Sequence, residues 1–235
     1  MLAEWVGWRF GLGVMSSAAM FLGVPLLWFG ARAIGARTIH ETDQHIPVDR
    51  TFLRRPVFFA LALAFALIAL IHGALLHHLL PILDSRAVAE GVAVFAAACI
   101  GPMQVAGRIA MMLSERYISL HGVVRAAFFA IIGAAACLRF GGASVVAVGA
   151  FVILFGSAYG TISILRPLVA RDILGPGSFG AKSGALALPY LAGSATAPFL
   201  GSLIWSVGGY ELVLNFTLAL GVCAVLAYSA VHRLP

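Results

Sequence analysis

Residues 56–83 read PVFFALALAFALIALIHGALLHHLLPIL and contain no Asp, Glu, Lys or Arg. About 20 apolar residues in a helix, rising 1.5 Å each, cover the roughly 30 Å hydrocarbon layer of a bilayer. The stretch therefore reads as a membrane helix. Strands of a membrane barrel alternate apolar and polar residues over about 10 positions, and this run does not. Windows 10–31, 140–165, 183–210 and 212–232 are equally free of those four residue types, and 89–113 and 120–138 carry Arg108 and Arg125 in their interiors. The reading is all-α: a polytopic membrane helix bundle with seven transmembrane helices. Composition agrees, since 62% of the 235 residues are hydrophobic and 10% charged, against roughly 45–50% and about 25% in soluble domains. Too few polar residues exist to make a water-facing shell, so disordered, collagenous, nucleic-acid-binding and secreted disulfide-scaffold classes are excluded.

The net charge of +6 is then a matter of topology rather than of acidic partners. Short loops rich in Lys and Arg stay cytoplasmic. Arg32, Arg37, Arg50, Arg54 and Arg55 follow the first window; Arg108, Arg116 and Arg125 flank the loop between the third and fourth; Arg166, Arg171 and Lys182 lie between the fifth and sixth; Arg233 follows the seventh. Only Arg9, Arg86 and Arg139 fall on the opposite side. The amino terminus is expected outside and the carboxyl terminus in the cytoplasm, in a bacterial inner membrane. The basic residues follow the first apolar run instead of preceding it, so it does not read as a cleavable signal. A first helix that starts outside implies further spans before it, hence a truncated or split chain. The polar stretch 32–55, with His40 and His45, divides the chain into a first helix (1–31), a cytoplasmic linker (32–55) and a six-helix remainder (56–235). Cys99, Cys137 and Cys223 fall inside windows as small hydrophobes, and no disulfide is expected.

Few residues can carry chemistry. Gln104 and Arg108 are four apart on one helix face, and a guanidinium inside a span costs roughly 2.5–3.5 kcal/mol on insertion scales, so Arg108 must face a cavity or a partner. The competing reading is a snorkelling Arg and a Gln that bonds a neighbouring helix. The Gly101-Pro102 step removes a backbone donor and is expected to kink this helix. His72 lies just past the midplane of the second span, where it could take a proton. His77 and His78 point about 140° and 240° away from it, which excludes a shared metal. Tyr159, Ser163 and Arg166 form a polar stripe in the fifth span, and Tyr190 and Ser194 one in the sixth; each is a cavity lining or a packing face. Gly175 to Ser183 fails as a phosphate loop because Ala181 shifts Lys182 out of register. No nucleophile has a paired base, so an intramembrane enzyme is excluded, and no cofactor is expected.

The lead-in Gly7-Trp8-Arg9-Phe10 echoes Gly209-Tyr210-Glu211-Leu212, as the last helices of two parallel six-span repeats would. With the long linker, the segment 101–108 (GPMQVAGR), and Met111-Met112-Leu113-Ser114-Glu115-Arg116, the chain resembles the carboxyl-terminal half, plus the preceding helix, of a major facilitator superfamily transporter. The last segment is similar to the family's Gly-x-Leu-x-Asp-Arg loop motif. Leu113, Glu115 and Arg116 match it, while Met111 and Ile118 replace its glycines. The resemblance implies a secondary transporter that works by alternating access. Its cavity would be lined by Gln104, Arg108, His72, Tyr159, Tyr190 and Ser194, with Leu113, Glu115 and Arg116 in a gating loop. The implied partners are the lipid bilayer, a small polar or anionic substrate, protons, and a missing amino-terminal half or another copy. The alternative is a non-transporting membrane subunit or scaffold in which these polar groups only join helices.

Overall fold

A computed structural model of the chain describes residues 8–38 and 51–234. The middle of the linker, with His40, His45 and Arg50, lies outside the described residues, as does Gly7. The chain divides within that linker into two units, Met1–Pro47 and Val48–Pro235.

Among its described residues the first unit holds one helix, α1 (Trp8–Thr38), with Pro25 inside it and the Arg32 guanidinium 4.8 Å from the Trp28 ring. It runs seven residues past the apolar window, because Arg32 and Arg37 end a hydrophobic stretch without ending a helix. A helix this apolar on all sides belongs in lipid or in a large core.

All the regular structure among the described residues of the second unit is helical. A 3-10 turn (Thr51–Arg54) leads through extended Arg55 into α2 (Pro56–His77), whose proline occupies a first-turn position where its missing N–H is not needed. A short α3 (Leu79–Ser85) follows, then α4 (Glu90–Ser114), α5 (Leu120–Phe140), α6 (Val145–Leu174) and α7 (Phe179–Ala230). A final 3-10 turn spans Val231–Arg233. Ser119 caps α5 by accepting from the Gly122 amide at 3.2 Å, and α6 ends at Gly175, whose φ of 83° suits glycine.

The structure departs from the sequence reading at several boundaries. The window 56–83 is broken at His78, the hinge between α2 and α3. The fifth window begins and ends too early, since α6 starts after the Gly141-Gly142 turn and continues past Arg166, Pro167 and Arg171. Charge ended the window; only the loss of helical dihedrals ends the helix. α4 runs as one helix through the Gly101-Pro102 step, with Pro102 inside it. The 52-residue α7 contains Gly208 (φ −149°) and Gly209 (φ 66°), two non-helical residues that separate 179–207 from 210–230.

The core is built on α2 and α6. Phe65, Ile68, Ile71 and Leu75 of α2 and Phe151 and Phe155 of α6 are completely buried. α2 packs along α7, α4 along α6, and α5 against both α6 and α7. Small residues set the spacing. Gly193, Ala197 and Gly201 form one stripe of α7, and they abut the Ala66 carbonyl, Gly73 and the His78 ring. His78 Nε2 lies 3.1 Å from the Pro198 carbonyl, which can only accept, so the ring donates from that nitrogen and pins the hinge to α7. The outward faces of α4 and α7 are apolar, as Phe95, Val105, Leu188 and Phe199 show.

Candidate functional site

His72 is carried into the middle of the unit by α2, and its ring is 2% exposed. The small-residue seam makes this possible, since Gly73 lets the backbone of Ser194 and the Ala197 methyl approach α2 immediately beside it. The imidazole meets the edge of Phe155 at 5.3 Å and Tyr159 at 4.7 Å between ring centroids. Phe151, Phe155 and Tyr159 recur every four residues along α6 and stack at 5.0 and 6.0 Å, which makes one wall of aromatic rings. Tyr159 and Arg166 share one face of α6, two turns apart, and the Arg166 guanidinium lies 4.5 Å from the ring of Tyr190 on α7. His72, Tyr159 and Tyr190 thus come together from three helices, and Ser194 follows one turn after Tyr190 beside Gly73.

Neither nitrogen of His72 has a hydrogen-bond partner, and Arg166 Nε is buried without one. No hydrogen bond is found for the Tyr159, Tyr190 or Ser194 side chains among the described residues. An unmatched buried polar group costs about 1–3 kcal/mol. A neutral imidazole offers one donor and one acceptor, and each hydroxyl can do either. Among the described residues of this unit every Asp and Glu sits at a helix end or beside the break in α7, so no carboxylate is described in the cluster to match a cation. It is suited to bind a polar neutral or anionic group, or to move a proton through His72. Phe155 was not singled out from the sequence; its i−4 spacing from Tyr159 was the available signal.

Gln104 and Arg108 lie elsewhere, in the seam between α4 and α6. Gly160 faces the Gln104 backbone, Gly107 faces that of Ser157, and Gly156 faces the Met103 side chain and the Ile100 carbonyl. Arg108 Nε donates to the Gly160 carbonyl at 3.1 Å, and Ser163 Oγ donates to the same oxygen at 3.0 Å. Arg108 is exposed and Gln104 half-buried. No hydrogen bond or ring contact joins either to His72, Tyr190 or Ser194 among the described residues. Leu113, Glu115 and Arg116 are exposed at the end of α4, and no ion pair of Glu115 or Arg116 is found there.

The helix ends hold groups that spacing did not reveal. At the end formed by the α4–α5 and α6–α7 connections, His121 meets Asp172 at 3.0 Å and the Tyr228 hydroxyl at 2.7 Å. Buried Lys182 donates to the carbonyls of Leu174 and Gly175, the open carbonyl end of α6. That placement gives Lys182 a capping job in place of phosphate contact. Lys182→Met should lower stability by about 1–2 kcal/mol in a thermal melt of the purified protein, and added phosphate or nucleotide should not shift the melt of either form. At the opposite end, Arg86 reaches one oxygen of Glu211 at 2.7 Å and Arg139 the other at 2.6 Å, while Arg139 Nε donates to Asn215 at 2.8 Å. The signal was in the charges: Arg86 and Arg139 are two of the three basic residues assigned to that side, and although they lie on other connections the fold brings both to Glu211.

Among the described residues no group of three or more His, Cys, Asp or Glu could hold a metal ion. No protein-family model matches the chain, and no curated protein is significantly similar to it. Fold and composition define a helical membrane protein, and among the described residues six helices are long and apolar enough to cross a bilayer.

Proposed function

We propose that this chain is one half of a secondary transporter, built like the carboxyl-terminal half and preceding helix of a major facilitator superfamily permease. The observation that carries the reading is buried His72, neither of whose ring nitrogens has a hydrogen-bond partner, beside the half-buried tyrosines Tyr159 and Tyr190 where three apolar helices meet. Packing alone gives no reason to keep such groups, whereas a substrate or proton site does. Seven crossings are proposed, because the 52 residues of α7 would reach about 78 Å as one rod and the Gly208-Gly209 break makes two passes of it. The basic excess at the ends of α4 and α6 supports a cytoplasmic location for that side, in a bacterial inner membrane with the amino terminus outside. A small polar or anionic solute is the proposed cargo and the proton the proposed coupling ion. A first half, or a second copy, closes the cavity.

The test is uptake by proteoliposomes holding the complete assembly under an imposed pH gradient. His72→Gln should reduce gradient-driven uptake about 100-fold while substrate exchange without a gradient survives, since glutamine keeps hydrogen bonding but carries no proton. His72→Leu should lose both and melt higher than wild type, because an unmatched polar group has been removed from the core. Wild-type uptake by both variants would sink the reading.

The scaffold reading draws on a different observation, the lodging of Gln104 and Arg108 in a packing seam. Arg108→Ala separates the two. Lost assembly in a protein that never transported favours the scaffold; normal assembly with weakened anion uptake favours the transporter.

A further inference from the structure

The end of the unit that carries α3 has a cavity of its own, remote from His72. It measures about 520 Å³ and is lined by Pro81, Asp84, Arg86, Trp205, Tyr210 and Glu211, among others. That is within the usual range for a small-molecule site. Trp205 and Tyr210 form its aromatic wall, their ring centroids 5.9 Å apart, and Tyr210 is held from behind by His78 at 6.0 Å. The charges are unequal in availability. Glu211 gives one oxygen to Arg86 and the other to Arg139, so these three groups together carry one net positive charge. Asp84 has no ion pair among the described residues, and it also lines an adjoining cleft of about 410 Å³ with Glu90, another carboxylate for which none is found. An open carboxylate lining the same cavity as an aromatic pair is the chemistry that holds an organic cation, whose charge is attracted by ring faces and whose methyl or methylene groups fill the apolar space.

We propose that the cavity between α3 and the break in α7 binds an alkylammonium group, with Asp84 as counter-charge and Trp205 and Tyr210 as the ring wall. Its position at the helix ends puts it level with lipid headgroups, so the ammonium could come from a phosphatidylcholine or phosphatidylethanolamine headgroup or from a free solute. The assignment stands apart from the transport reading, as it uses none of the residues near His72.

The experiment titrates choline into the full chain in phosphatidylglycerol nanodiscs, with binding read by calorimetry and tryptophan fluorescence. Saturable binding is expected for choline and not for its neutral isostere, in which carbon replaces nitrogen. Asp84→Asn should weaken binding about tenfold, and Trp205→Leu should abolish the fluorescence change. Asp84 is exposed, so its substitution should leave the melting temperature unchanged. Nanodiscs containing phosphatidylcholine or phosphatidylethanolamine distinguish the sources: competition at the site identifies a headgroup, and undiminished choline affinity identifies a free solute. No saturable choline binding, equal binding of the isostere, or full affinity in Asp84→Asn would overturn the proposal.

Discussion

Gly160→Leu should prevent stable folding of the second unit, whereas Gly149→Leu, on the same helix, should leave it intact. A Cβ at Gly160 would run into the Gln104 backbone, which has no rotamer to move, and the remaining leucine atoms have no space beyond it. Overpacking a core by a few methylenes costs about 1–3 kcal/mol when side chains can yield. Backbone cannot, so the loss should exceed that range and also break the Arg108 bond to the Gly160 carbonyl. Gly149 has open space around it and is exposed, so leucine there gains helix propensity and touches lipid. Size-exclusion profiles and thermal melts of the two detergent-purified variants make the comparison. Equal behaviour would mean that the α4–α6 seam does not hold the unit together.

Glu211→Gln should destabilise the unit by about 2 kcal/mol, between the 0–1 of an exposed ion pair and the 3–5 of a broken buried one. The intermediate value follows from the geometry. The Glu211 side chain is 57% exposed, yet those of Arg86 and Arg139 are only 12% and 27% exposed and would be left as two cations without their shared counter-charge. Arg139→Gln in the Glu211→Gln background should recover part of the loss, because it relieves that repulsion. Hydrogen exchange around 207–211 should accelerate in the single variant, since the network joins α3, α5 and the second segment of α7 across the non-helical glycines. A single variant as stable as wild type, with unchanged exchange at the break, would show that the network is ornamental.

The spans were legible because lipid imposes a single strong demand, a long run without charge, and α2, α4 and α5 fall within a few residues of their windows once the α2 hinge is set aside. Helix ends were less legible, since a charge such as Arg166 closes an apolar window without disturbing a hydrogen-bond ladder that continues to Leu174. The hinge at His78 was invisible for a related reason: an imidazole donating to a carbonyl 120 positions away decides it. Candidate site residues were recognisable singly, as polar groups in apolar surroundings. Their grouping was not, because it depends on how far each helix is rotated and how closely its neighbours approach.

What the sequence by itself determined is that the chain is helical and meant for a membrane, for it lacks the polar residues to be anything else. Tertiary structure alone decided that His72 joins Tyr159 and Tyr190 while Gln104 and Arg108 lie in another seam, and that Arg86 and Arg139 share Glu211 across 125 and 72 positions of chain. The physical reason is range. Hydropathy is a local sum that each segment carries with it, whereas a buried contact exists only after glycine and alanine seams have fixed which faces of distant helices can touch.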